Sequence, residues 1–153
     1  MFQEISLVFW NTSWSKAGMH GGRYKTGQVA NIYLGPEERS YIRVLQDFSG
    51  RLDPGVRTVS VESSSPDSVR AYGLFSNLTA GVYLHHFNNH SSAVHRTKIT
   101  IEFSPVKRPT KELFGEWIEP STGRMLTRVR LLPGRQTLAV PPFTVDLALL
   151  ITS

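Results

Sequence analysis

The sequence predicts a mainly β protein, an antiparallel β-sandwich of about eight strands behind an N-terminal strand-loop-helix segment. Two observations carry this. Beyond residue 55 the apolar residues recur at every second position, where before it they recur at every third or fourth. The short apolar runs there are separated by turn chemistry with no helical segment between them, which favours a sandwich over an α/β fold.

At the N-terminus, Ile5-Ser6-Leu7-Val8-Phe9-Trp10 is short, almost wholly apolar and rich in β-branched and aromatic residues, as in a strand buried on both faces. Residues 11–34 hold Gly18, Gly21, Gly22 and Gly27 among Ser, Thr and Asn, and read as a long irregular loop. Gly35-Pro36-Glu37-Glu38 then starts a helix, with proline at the first helical position and carboxylates at the positive end of the dipole. Tyr41, Ile42, Leu45, Phe48 and Leu52 give it an apolar stripe, and Asp53-Pro54-Gly55 stops it. This strand-loop-helix unit spans 1–55 and cannot bury a parallel strand alone.

The sandwich is expected over 56–153, with strands at 56–61, 70–76, 81–87, 97–103, 113–118, 127–132, 136–140 and 144–152. The turns between them are Ser63-Ser64-Ser65-Pro66-Asp67, Asn88-Asn89, Pro120-Ser121-Thr122-Gly123, Pro133-Gly134 and Pro141-Pro142. Ile99, Ile101 and Phe103 alternate with Lys98, Thr100 and Glu102, the pattern of a sheet with one wet face. Val145, Leu147, Leu149 and Ile151 are read in the same way.

The 153 residues suit one compact core, and 40% hydrophobic with 19% charged residues is a globular profile. With no cysteine, disulfides and thiolate metal sites are excluded and sulfur gives no indication of compartment. The net charge of +5 is spread singly, with no run longer than Lys107-Arg108, so solvated strand faces are expected and not a nucleic-acid surface. The first ten residues carry Glu4 and an apolar run too short for a signal peptide or a spanning helix, so no membrane association is expected.

No catalytic constellation emerges. There is no G-x-S-x-G elbow, P-loop or dinucleotide fingerprint, and no cofactor is expected. Glu37 and Glu38 suit dipole compensation, and Glu116 and Glu119, flanking Trp117, suit a solvated hairpin. His85, His86, His90 and His95 invite a metal reading, but on a strand His85 and His86 face opposite sides. A polar loop of His86, Asn88, Asn89 and His90 contacting a sugar or another domain is the functional alternative. Trp117 reads as core beside Leu113 and Gly115. Tyr72, Tyr83 and Phe87 are candidates for an aromatic face that binds glycans, although alternation alone does not say whether they point in or out.

Gly115-Glu116-Trp117-Ile118-Glu119-Pro120-Ser121-Thr122-Gly123, then Pro133-Gly134, then Pro141-Pro142-Phe143-Thr144-Val145-Asp146-Leu147-Ala148-Leu149 resembles the C-terminal β-sandwich of many bacterial glycoside hydrolases, of the collagen-binding type. That family has a W-x-x-P-x-T-G hairpin and a final D-x-A-L strand, and the likeness covers roughly residues 70–152. The resemblance implies that residues 5–10 are the eighth strand of a (β/α)8 barrel, 11–34 the loop after it and 36–52 the eighth helix. It puts Trp10 where such barrels carry an aromatic platform under the sugar, with Asn11 beside it; burial of Trp10 in a core is the equal alternative.

The paired carboxylates of barrel glycosidases come from earlier strands, which this chain lacks. The expectation is therefore a non-catalytic C-terminal region of a glycoside-hydrolase-like protein, partnered by carbohydrate or an upstream catalytic barrel. Its candidate substrate contacts are Trp10, Asn11, Tyr83, His86 and Asn88. A free-standing lectin-like or protein-binding sandwich is the rival.

Overall fold

The computed structural model describes residues 36–105 and 112–152. The strand and loop expected at 5–34, and with them Trp10 and Asn11, lie outside the described residues. The elements are helix α1 (Pro36–Gly50), then β1 (Arg57–Ser60), β2 (Glu62–Ser63), β3 (Val69–Phe75), β4 (Ala80–His86), β5 (Lys98–Phe103), β6 (Leu113–Ile118), β7 (Met125–Leu131), β8 (Gly134–Ala139) and β9 (Asp146–Thr152). A six-stranded sheet in the order β1-β3-β4-β9-β6-β7 faces a three-stranded sheet in the order β2-β5-β8, and every strand pair is antiparallel. The mainly β sandwich expected from the alternation is the fold.

Period-two burial builds the core between the sheets. Val82 and Leu84 of β4, Leu113 and Trp117 of β6, and Leu147, Leu149 and Ile151 of β9 meet Ile99, Ile101 and Phe103 of β5. Phe75 and Phe103 close one end edge to face, with ring centroids 5.8 Å apart. The wet face read from Lys98, Thr100 and Glu102 is the outer side of the small sheet, where Thr100 Oγ1 lies 3.1 Å from Thr137 Oγ1 of β8.

Strand β9 departs from its reading. Ala148 and Leu150, on the face opposite Leu147, Leu149 and Ile151, are buried as well, because α1 lies on the outer side of the six-stranded sheet. Phe48 and Leu52 pack there against Leu74, Ile118, Ala148 and Leu150. Gly81 allows the approach: a Cβ at this position would come within 3.2 Å of the Phe48 ring.

The helix uses a narrower face than its apolar stripe suggested. Val44 and Phe48, four residues apart, together with Leu52 just beyond the helix, face the sheet and the β6–β7 turn, while Tyr41 and Leu45 are exposed. Arg51 Nη2 donates to Glu116 Oε2 at 2.6 Å, so Glu116 is not the solvated residue expected but clamps the helix end to β6. The Asp53 amide donates to Thr79 Oγ1 at 2.8 Å, tying the same end to the β3–β4 hairpin. In the turn after β6, Gly123 has φ 73°, which only glycine adopts without strain, and sits under the Val44 side chain.

Candidate functional site

The register of the six-stranded sheet assembles a polar and aromatic cluster beside the helix, on the same outer face. Tyr72 of β3 sits opposite Tyr83 of β4, Arg70 opposite His85, and His85 opposite Asp146 of β9. Alternation puts Tyr83 and His85 on one side of β4 and turns His86 to the other. The Tyr72 and Tyr83 rings stack with centroids 6.4 Å apart, and Tyr83 and His85 lie 6.5 Å apart with planes only 7° from parallel. His90 approaches the His85 ring edge-on at 5.5 Å, and the Arg70 guanidinium lies 4.5 Å from the Phe87 ring centroid, a cation–π distance.

Asp146 is the carboxylate of this cluster. The Tyr83 hydroxyl donates to its Oδ2 at 3.0 Å. Half-burial raises the Asp146 carboxyl above its ordinary value, against the lowering effect of the Tyr83 hydrogen bond and of His85 and His90, while Glu119 adds to the rise. The Tyr83 hydroxyl is pushed up by burial first and by the Asp146 charge second.

A cleft opens on the far side of Asp146. Its volume is about 590 Å³, and Tyr41 of α1, Glu119 and Pro120 of the β6–β7 turn, Leu126, Phe143 and Asp146 line it. Volumes of this order suit a small ligand. Tyr41 donates through its hydroxyl to Glu37 Oε1 at 2.5 Å, which fixes the ring at the cleft wall. Glu119 accepts from Thr122 Oγ1 at 2.6 Å and faces Arg124 at 3.6 Å.

Of the residues singled out in the sequence, Tyr83 stands at the centre of this cluster. His86 is 5% exposed, and its Nδ1 donates to the Thr144 carbonyl at 2.9 Å. Asn88 is exposed and donates through Nδ2 to the Asp67 carbonyl. His90 donates through Nε2 to the His86 carbonyl at 2.5 Å. No three His, Asp or Glu side chains gather as metal ligands among the described residues. Asp146 and Tyr41 were not singled out as ligand contacts. The available signal for Asp146 was a lone carboxylate just before the apolar run 147–151.

The raised Asp146 carboxyl has a measurable consequence. A group whose folded-state value lies above its unfolded value contributes stability that is fully present below the unfolded value, near 3.8, and is lost as pH rises through the folded one. Urea unfolding followed from pH 3 upward is expected to show Asp146→Asn losing less stability with rising pH than the unsubstituted protein. Parallel curves for the two proteins would remove the assignment.

The fold and site define a helix-capped antiparallel β-sandwich with an open aromatic and carboxylate face. Among solved structures the chain is similar to a GH30 endoxylanase from Clostridium papyrosolvens, with a TM-score of 0.46 and 14% sequence identity. The similarity covers 80% of this chain and 28% of that chain, so the protein spans under a third of that enzyme's length. No protein-family profile matches the chain, and no curated protein matches it.

Proposed function

We propose that this chain is the non-catalytic C-terminal region of a glycoside-hydrolase-like protein, and that its outer sheet face helps hold carbohydrate. The observation that carries the reading is the joining of stacked aromatic faces, Tyr72 and Tyr83, to a half-buried hydrogen-bond acceptor, Asp146. Sugar rings present apolar C–H faces that pack on aromatic rings and hydroxyls that donate to carboxylates, so this pairing matches both sides of a sugar. The sequence resemblance supports it, since its two segments become neighbours: the hairpin strand β6 hydrogen-bonds directly to the final strand β9.

The test is a glycan-binding measurement on the purified 153-residue chain together with an assay for glycoside hydrolysis. Binding without turnover is expected, with Tyr83→Ala lowering affinity about tenfold, the equivalent of one lost ring contact. Turnover that disappears when one of the chain's own carboxylates is replaced overturns the reading, as does a lack of binding to any glycan.

A further inference from the structure

The cleft and the aromatic platform share one side chain. Asp146 lines the cleft and also accepts from Tyr83, so it links the stacked Tyr72 and Tyr83 rings of β3 and β4 to the cleft walls formed by the β6–β7 turn and Tyr41. Three strand spacings separate β3 from β6, roughly 14 Å. Resting on the carbohydrate reading above, we propose that this groove takes a neutral oligosaccharide laid across the strands, with Asp146 as the hydroxyl acceptor at its middle and Tyr72 and Tyr41 as the aromatic contacts at its two ends.

Three features select this ligand class. An ionised carboxylate only accepts, so whatever meets Asp146 in the cleft must bring donors. Its one donor given by the described side chains is Tyr83, and none of the ion pairs among the described residues involves it. A half-buried acceptor of this kind gains from hydroxyl donors that replace lost water.

The charges along the groove also oppose one another: the Arg70 guanidinium stands at the β3 end, Asp146 at the middle and Glu119 at the β6–β7 turn. A polyanion meets two carboxylates and a polycation meets a guanidinium, whereas an uncharged chain of hydroxyls meets donors and acceptors alike. The aromatic surfaces are fixed beforehand, Tyr41 through Glu37 and Tyr83 through Asp146, which lowers the ordering cost of binding.

The experiment is an array of hexasaccharides, neutral, uronate-containing and sulfated, probed with the full chain, followed by titration calorimetry on the best neutral hit. Binding confined to neutral glycans is expected, with the corresponding monosaccharide far weaker. Tyr41→Ala and Tyr72→Ala, at opposite ends, are each expected to cost about tenfold in affinity, while Tyr41→Phe, which keeps the ring but loses the hydroxyl that pairs with Glu37, falls between Tyr41→Ala and the unsubstituted protein. Unchanged circular dichroism and unfolding midpoints separate these losses from misfolding.

Binding that prefers uronate or sulfated glycans, or that responds to Tyr72→Ala but not to Tyr41→Ala, overturns the single neutral groove and leaves the carbohydrate reading standing. No binding to any member of the array overturns both.

Discussion

Trp117→Ala is expected to cost about 3 to 5 kcal/mol of unfolding free energy, the range for removing a fully buried large aromatic side chain. Trp117 has no exposed surface, lies opposite Leu149 of β9 and Thr127 of β7, and belongs to the main cluster between the sheets. Its loss leaves a cavity beneath β6 and its neighbour β9 in the larger sheet, where the surrounding strands cannot collapse without breaking their ladders. Against a stability of a few to fifteen kcal/mol, typical of a domain this size, such a loss leaves a substantial unfolded fraction.

A second substitution at the same position makes the prediction sharper. The Trp117 Nε1 is buried with no hydrogen-bond partner among the described residues, and an orphaned donor carries a desolvation cost of about 1 to 3 kcal/mol. Trp117→Phe removes that donor while keeping most of the ring, so its loss is expected to be less than half that of Trp117→Ala. Urea unfolding followed by far-UV circular dichroism compares the two without relying on tryptophan emission. Glycan affinity is expected to be unchanged in Trp117→Phe, because the ring points away from the outer face. A fall in affinity would make Trp117 a ligand contact and not core.

The strands were readable because side-chain alternation in a sheet is a local property: Ile99, Ile101 and Phe103 announce their inward face within six residues. Strand β2 escaped because Glu62 and Ser63 carry no apolar signal, and their pairing with Thr100 and Ile99 follows from the chain crossing between sheets at Val61. Strand β9 was read as half wet because alternation reports one neighbour at a time. Ala148 and Leu150 face a helix about a hundred residues earlier in the chain, and no local period records that.

The candidate site was readable only in part, for the same reason. Tyr72, Tyr83 and Asp146 belong to three strands, and the β3–β4 and β4–β9 registers bring them together, not any spacing in the sequence. Tyr83 and Tyr72 stood out because aromatics in an alternating strand are conspicuous. His86 and Asn88 stood out because they are polar beside a turn; the folded chain engages both in hydrogen bonds to backbone carbonyls.

The second large effect concerns the helix. Phe48→Ala is expected to cost about 3 kcal/mol, the lower end of the range for a buried phenylalanine, because its cluster lies near the surface and the helix can settle partly into the space. Phe48 of α1 and Leu52 just beyond it cover Leu74, Ala148, Leu150 and Ile118, and Phe48 is the larger. The Arg51–Glu116 pair cannot hold α1 in its place, since the Arg51 side chain is 45% exposed and a pair of that kind contributes at most about 1 kcal/mol.

Hydrogen exchange decides how that loss is distributed. Leu150 lies in the central strand, with its inner-face neighbours Leu149 and Ile151 in the main core, so the two clusters share one backbone. Faster exchange is therefore expected at the β9 amides as well as in α1, together with a lower urea midpoint for the whole chain. Faster exchange confined to 36–50, with β9 unchanged, would mean that the helix docks on a sandwich stable without it, and that the outer apolar face of β9 tolerates exposure.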